Sequence, residues 1–483
     1  MNLQPVWGAD LRRSVLCHFL RIFGFDGLAF GGQLEIISGD EPDRHERLRR
    51  AVGRCRVVVL LQPGADMCEP LGISLNGLEQ GIPVVYWVES VAPGIQRNRS
   101  LHHVCLYDHP SGTRLAAVAE GQDGRGAAWL VVELGGSVLL VIGSAVAEDI
   151  VRYRQGDPAQ ATLGQAGLVA GFAHERANYL FESQRAGEAM HERHADVIAA
   201  SFSWAVARLL DAQLAPLLPD GVPGAVVVTG DDDQAYIERY AEQLALLEDL
   251  PITYFLHPLT RLTPRIMRRL FAGRRIELGL HPDALEDPDN YASLLSKQAR
   301  WFRRLTGTSA LSVRNHGFLS TGYWEQAADW RAEGILISSN VTAVDGTALT
   351  GSYLPARLTF GNRLTDQWSI LTAIGDGLLF AHNFEPEAAA DKIRVAGQAI
   401  VQSHLPGILV FNMHPQNVDV SAPMHRAILD LVDEGFLPWT LRDCIEWFLK
   451  SEQGSAGLRS HSAGGLWDRL KTLKRYLKYW ASS

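Results

Sequence analysis

Short aliphatic and β-branched runs divide the chain into two α/β patterns with a helical stretch between them. In the first, RVVVLLQ (56–62), PVVYWV (83–88), AAWLVVEL (127–134) and SVLLVIG (137–143) read as buried strands. LGISLNGLEQG (71–81) reads as a helix between the first two, stopped by Gly81. Strand, helix and strand at this spacing predict a parallel α/β layer over residues 1–145. From about 146 to 215 the apolar spacing turns helical, as in ERANYLFESQRAGEAMHERHADVIAASFSWAVARLL, then Pro216, Pro219 and Pro223 break the chain, which predicts a helical connector over 146–222. A second α/β pattern opens with AVVVT (225–229). It continues through PITYFLH (251–257), RIELGLH (275–281), SALSVRNHG (309–317), GILISSN (334–340), GLLFAHN (377–383) and GILVFNMHP (407–415), with helical segments between most of them. Seven or so such strands predict a distorted (β/α) barrel over 223–450. SEQGSAGLRSHSAGG (451–465) reads as a flexible linker and 466–480 as a separate helix, so the tail unit is 451–483. The predicted fold class is α/β, a distorted barrel preceded by a smaller layered domain and a helical connector.

The layered domain resembles class I glutamine-amidotransferase-like or flavodoxin-like folds at this coarse level. The amidotransferase nucleophile would be a Cys on a tight turn after a strand. PVVYWV instead runs into VESVAPG, with no such Cys, so a non-catalytic or binding role is expected for 1–145. The chain has 483 residues, enough for two domains. Its net charge of -9 argues against a broad nucleic-acid surface, and no nucleic-acid partner is expected. Cys17, Cys55, Cys68, Cys105 and Cys444 make no CxxC pair or zinc-ribbon spacing and read as reduced thiols of a cytosolic protein. The N-terminus lacks a charged, apolar, small-residue signal pattern, and no run reaches the roughly 18–20 apolar residues of a spanning helix. The chain reads as cytoplasmic.

Candidate chemistry lies at the ends of the barrel strands, where parallel α/β enzymes place their sites. AVVV leads into TGDDDQ, and the adjacent carboxylates of Asp231, Asp232 and Asp233 repel one another in a low-dielectric site unless a cation neutralises them. ELGLHPD brings His281 to a strand end, SVRNHG brings Arg314 and His316, and VFNMHP brings His414. One carboxylate with two imidazoles is the ligand set of a divalent site left open to water.

In order and spacing these motifs resemble those of the polysaccharide deacetylases, the NodB-homology superfamily of carbohydrate esterase family four and its relatives. TGDDDQ stands where that family has TFDD, ELGLHPD matches the motif whose first His binds metal, VRNHG the motif whose Arg holds the catalytic Asp, and VFNMHP the closing motif whose His is the general acid. The resemblance implies Asp231 as the base, His414 as the acid and Arg314 as the group that keeps Asp231 ionised. It also implies one divalent ion, zinc by preference, on Asp232 or Asp233 with His281 and His316. The sequence departs from the pattern at Gly230, where the family has Phe, at Asp233, where it has Gly, and at Leu285, where it has a second metal His. His316 is the natural substitute, and divergent members show a similar Arg-Asn-His pattern.

Other features read more plainly. His191 and His194 of HERHAD suit a solvated helix face, and His257 is either a strand-end polar residue or part of the same cavity wall. Tyr323, Trp324 and Trp330 read as core in preference to a sugar-stacking platform. In the tail, Leu466, Leu470, Leu473, Leu477 and Trp480 share one helix face, with Lys471, Lys474, Arg475 and Lys478 on the other side. That helix fits either the interface of an anionic membrane or a dock on the protein itself or a second subunit. The expected function is hydrolytic removal of an N-acetyl or other N-acyl group from an amino sugar in cell-surface glycan biosynthesis. The enzyme would meet this sugar in the cytoplasm, peripherally on the inner face of the membrane, as a lipid-linked or nucleotide-linked precursor. Another C–N amide hydrolase on the same fold, or a silent ligand-binding scaffold, are the alternatives. The sequence does not give the oligomeric state.

Overall fold

The computed structural model describes residues 7–25, 32–81, 83–87, 97–118, 126–162, 176–181, 193–219, 221–343, 350–381 and 383–452. The tail helix expected at 466–480 lies outside them. Among the described residues no helix is long and apolar enough to cross a membrane, and the five cysteines are unpaired.

The first half is built on a seven-stranded sheet. Its members are β1 (Leu34–Ser38), β2 (Val57–Leu61), β4 (Val84–Trp87), β5 (Arg97–Arg99), β7 (Thr113–Ala117), β8 (Trp129–Leu134) and β9 (Ser137–Ile142). A separate ribbon pairs β3 (Ser74–Glu79) with β6 (Val104–Asp108). The sheet order is β1-β2-β9-β8-β7-β4-β5. Only β1–β2 and β2–β9 are parallel; the remaining pairs are antiparallel. The expected parallel layer is therefore a mixed sheet, with β4 far from β2. The helix expected over 71–81 is corrected too: Ser74–Glu79 is a strand. Leu71, Leu75 and Leu78 suggested a helical stripe, but Leu75 and Leu78 are 42% and 51% exposed and no core captures such a stripe. Asn76 and Gly77 are poor helix formers, so pairing with β6 wins.

Helices Val146–Gln155 and His194–Leu210 lie between this sheet and the second half of the chain. They share one apolar core with helix Ala9–Ile22, with sheet residues Val57, Val59 and Leu140, and with Ala225, Trp368, Ile408 and Phe448. His194, expected on a solvated face, is buried against Tyr153, and burial, with Arg99 and Arg97 nearby, lowers its pKa to about 4. His191 lies outside the described residues.

The second half is a distorted, closed barrel. Its strands are β10 (Gly224–Asp231), β11 (Ile252–Leu256), β12 (Ile276–Leu280), β13 (Ser312–Val313), β14 (Ile337–Thr342), β16 (Arg363–Gly375) and β17 (Gly407–Asn412). Each pairs in parallel with the next, and β17 and β11 both pair β10, which closes a ring of seven. All eight residues of β10 are buried, as expected of a run such as AVVV with both faces covered. The distortion has two sources. β13 is two residues long, and β18 (Leu437–Trp439) pairs the first half of β10 while β11 pairs its second half. β15 (Ala356–Phe360) folds back on β16 through Gly361 and Asn362, both at positive φ (56° and 62°), the backbone of a tight two-residue hairpin.

One barrel strand differs from expectation. GLLFAHN (377–383) is not a strand; Gly377–Ala381 is a short helix, and the ring position belongs to Arg363–Gly375. That strand is polar at its start (RLTDQ) and turns apolar only at WSILTAI, which hides it from a search for short apolar runs. The reward for finding it is functional, because it delivers Asp376 to the C-terminal edge.

Candidate active site

Parallel strands all end on the same face, so the residues that follow β10, β11, β12, β13, β16 and β17 gather at one mouth. Asp231, Asp233, His281, Arg314, His316 and His414 converge there. His257, Asp283, Asp376 and Asn412 join them, and of these only His257 stands out in the sequence as a possible part of the cavity wall.

Asp231 is the last residue of β10 and is buried. Arg314 Nη1 donates to its Oδ1 at 2.9 Å, and Asn412 Nδ2 donates to its Oδ2 at 2.8 Å. The guanidinium of Arg314 is fully buried and spends its other donors on Thr229 Oγ1, Ser339 O and Oγ, and Thr372 Oγ1, at 2.8–3.2 Å. Its Cζ lies 4.6 Å from the ring centre of Phe255. Burial would raise the Asp231 carboxyl, but Arg314, His281 and His414 hold it below its ordinary value.

The next two carboxylates part company. Asp232 turns into the fold, where it accepts from the Tyr240 hydroxyl and from the backbone N–H of His257, and burial raises its pKa. Its oxygens are taken up there, and the carboxylate grouped with His281 and His316 is Asp233, not Asp232. Asp233 takes a left-handed backbone (φ 37°), followed by Gln234 at φ 64°. That turn aims its side chain back at the histidines, a conformation acidic residues tolerate better than most. Its Oδ1 lies 3.2 Å from His281 Nε2 and 3.7 Å from His316 Nε2. Burial opposes its ionisation, but His281, His414 and His316 keep it well below the usual carboxylate range. Gly230 has a reason as well. A Cβ there would come within 2.9 Å of Met413 O and of the Tyr254 ring.

Two of the three imidazoles, His281 and His414, are hydrogen-bonded through Nδ1, the third has a carboxylate close to its Nδ1, and all three turn Nε2 towards the acidic groups. His281 Nδ1 donates to Arg314 O at 2.7 Å. His316 Nδ1 faces Asp283 Oδ1 at 3.2 Å. His414 Nδ1 is hydrogen-bonded to Asp376 Oδ1, and the other Asp376 oxygen accepts from the His414 backbone N–H and from Asn417 Nδ2. A hydrogen-bonded Nδ1 fixes the tautomer of His281 and His414 and leaves Nε2 free to ligate or to exchange a proton. His414 Nε2 lies 3.7 Å from both Asp231 Oδ2 and Asp233 Oδ2. Burial would lower its pKa, but Asp376, with Asp231 and Asp233, pushes it up to about 10.

The donor set fits one divalent cation on Asp233, His281 and His316. Their ligand atoms all lie within 4.8 Å of one another, and the Asp233 Oδ1 that faces both rings is buried with no hydrogen-bond partner. Such an oxygen is costly to bury unless something satisfies it. His316 is tied to the loop that follows β12 through its backbone N–H, which donates to Pro282 O at 2.9 Å. Tyr323, Trp324 and Trp330 are core, as read: all are nearly inaccessible, and the two indoles are spent on Gln155 O and Tyr291 Oη.

Asp376 and Asn412 do carry a signal in the sequence. Asp376 follows SILTAIG just as Asp231 follows AVVVTG, and Asn412 lies two residues before His414 at the same strand end. Asp283 has no comparable signal, since its contact with His316 exists only once β12 and β13 are adjacent.

No family model and no curated protein matches the chain. Among solved structures it is similar to a Mycobacterium smegmatis protein assigned to the polysaccharide deacetylases, at 17% identity and TM-score 0.39, over 50% of this chain and 96% of that one. A peptidoglycan deacetylase of Bacillus subtilis is 13% identical with TM-score 0.30, over 50% and 98% of the two chains. A carbohydrate esterase family four pseudoenzyme of Bacillus anthracis is 16% identical with TM-score 0.29, over 49% and 71%. Fold and site together define a seven-stranded parallel barrel with a carboxylate–imidazole cluster at its C-terminal mouth.

Proposed function

We propose that the barrel is a divalent-metal-dependent hydrolase that removes an N-acetyl or related N-acyl group from an amino sugar. The observation that carries this reading is the division of labour at one mouth. Asp231 is held ionised by a buried Arg314, His414 is held protonated by Asp376, and between them Asp233, His281 and His316 offer an unsatisfied ligand set. Bound there, a divalent ion, zinc by preference, would supply a Lewis acid that polarises the acyl oxygen and acidifies water.

The chain's own groups then divide the proton transfers. Asp231 Oδ2 accepts the proton of the attacking water, while Arg314 and Asn412 fix the carboxylate in place. His414 Nε2 donates to the amine nitrogen as the C–N bond breaks, and Asp376 stabilises the charged imidazole before that transfer. Acetate and a free amine are the products. The resemblance to deacetylases supports an amino-sugar substrate, and the tail at 466–480 supports a precursor met at a membrane surface.

The test is acetate release by full-length protein from N-acetylated amino sugars carried on a lipid and on a nucleotide, before and after chelation. Release that stops on chelation and returns with zinc is expected. A preference for the lipid carrier would support the membrane reading, and a preference for the nucleotide would favour a water-soluble precursor. A metal-replete protein that releases no acetate from either carrier would leave the silent scaffold as the better account.

A further inference from the structure

Asp283 stands between two imidazoles. Its Oδ2 lies 3.2 Å from His257 Nε2, and its Oδ1 lies 3.2 Å from His316 Nδ1. The other nitrogen of His257, Nδ1, accepts the backbone N–H of Leu259 at 3.1 Å. The neutral ring therefore carries its proton on Nε2, aimed at Asp283. The backbone of Asp283 is itself clamped by one side chain. Its N–H donates to Gln298 Oε1 at 2.8 Å, and Gln298 Nε2 donates back to its carbonyl at 2.7 Å. His316 needs such support more than its neighbour does. Its side chain is 30% exposed against 1% for His281, and Gly317 and Phe318 behind it both have left-handed backbones.

We propose that Asp283 is the positioning residue that makes His316 a metal ligand, with His257 as the post on which Asp283 is fixed. The β13 loop supplies the imidazole, and the β12 loop supplies the carboxylate that orients it. A carboxylate on Nδ1 selects the tautomer with a free Nε2 and makes that nitrogen a better donor to a cation. His257, Asp283 and His316 also form a compact ligand group of their own. Each carboxylate oxygen there faces a different imidazole, however, and His257 Nε2 holds a proton towards Asp283, so the group supports His316 and is not a second ion site. The inference rests on the metal-site reading above.

Cobalt(II) titration of the full-length protein tests it, read by the visible d–d absorption, with zinc content measured in parallel and folding checked by circular dichroism. The wild-type protein should bind one ion. Asp283→Asn should fold normally, because this side chain is 35% exposed, yet bind about 10- to 100-fold more weakly with a shifted d–d band. Asp283→Glu should restore much of the affinity, and His257→Gln should weaken binding in the same direction by less. Wild-type affinity and spectrum in Asp283→Asn would overturn this inference alone and leave the metal site standing. Two ions per wild-type chain would also overturn it, by making Asp283 a ligand. No binding by the wild-type chain would remove both this inference and the metal site beneath it.

Discussion

Asp231→Asn is expected to cut turnover by about 10²- to 10⁴-fold, the contribution of a well-placed general base, while metal content stays at the wild-type level. An amide has nearly the shape of the carboxylate it replaces, and the surroundings can accept it. Arg314 can keep donating to the amide oxygen. Asn412 now donates to the other carboxylate oxygen and would meet an NH₂ group there. Its own Oδ1 is buried without a hydrogen-bond partner, so a flip of Asn412 turns that acceptor towards the new amide. What the variant loses is the proton acceptor. Steady-state rates with metal analysis on the same sample check this, and near-normal turnover would move the base to Asp233.

Arg314→Leu is expected to have the largest effect on stability, about 3–5 kcal/mol, because it leaves Asp231 as a buried charge without its partner. The substitution also strands Thr229, Ser339 and Thr372, whose oxygens accept from the same guanidinium. Activity should be lost with it, since burial unopposed by Arg314 raises the Asp231 pKa and favours its neutral form. The diagnostic is the double variant. Adding Asp231→Asn to Arg314→Leu removes the charge that was stranded, so the pair should cost less than the two single losses summed. Denaturant unfolding of all four proteins measures that coupling. Strict additivity would mean that the two residues do not act as a unit.

The sequence carried the outline of this arrangement because burial and chemistry alternate so sharply in the barrel half. AVVVTGDDD, LGLH, SVRNH and VFNMH each show an apolar run that stops at a polar group, and a parallel barrel must bring such stops together. Where the reading failed, a contact distant in sequence had overruled a local pattern. Ser74–Glu79 has leucines at helical spacing but pairs with Val104–Asp108 as a strand. His194 looks polar and exposed in HERHAD, yet the helix that begins there is packed on both sides. Asp233, not Asp232, turns towards the histidines at two successive left-handed residues, 233 and 234, which neither pattern nor propensity foretells. Asp376 was missed for a third reason: the strand that delivers it begins with polar residues, and the neighbouring GLLF run drew attention away from it.

The claim that holds the rest together is a single cation on Asp233, His281 and His316. It is tested most directly by anomalous diffraction at the zinc edge from crystals of the zinc-loaded protein. We expect one strong peak about 2.0–2.2 Å from an Asp233 carboxylate oxygen and from Nε2 of both histidines. A zinc peak elsewhere, or zinc-loaded crystals with no peak between these three side chains, would contradict the account.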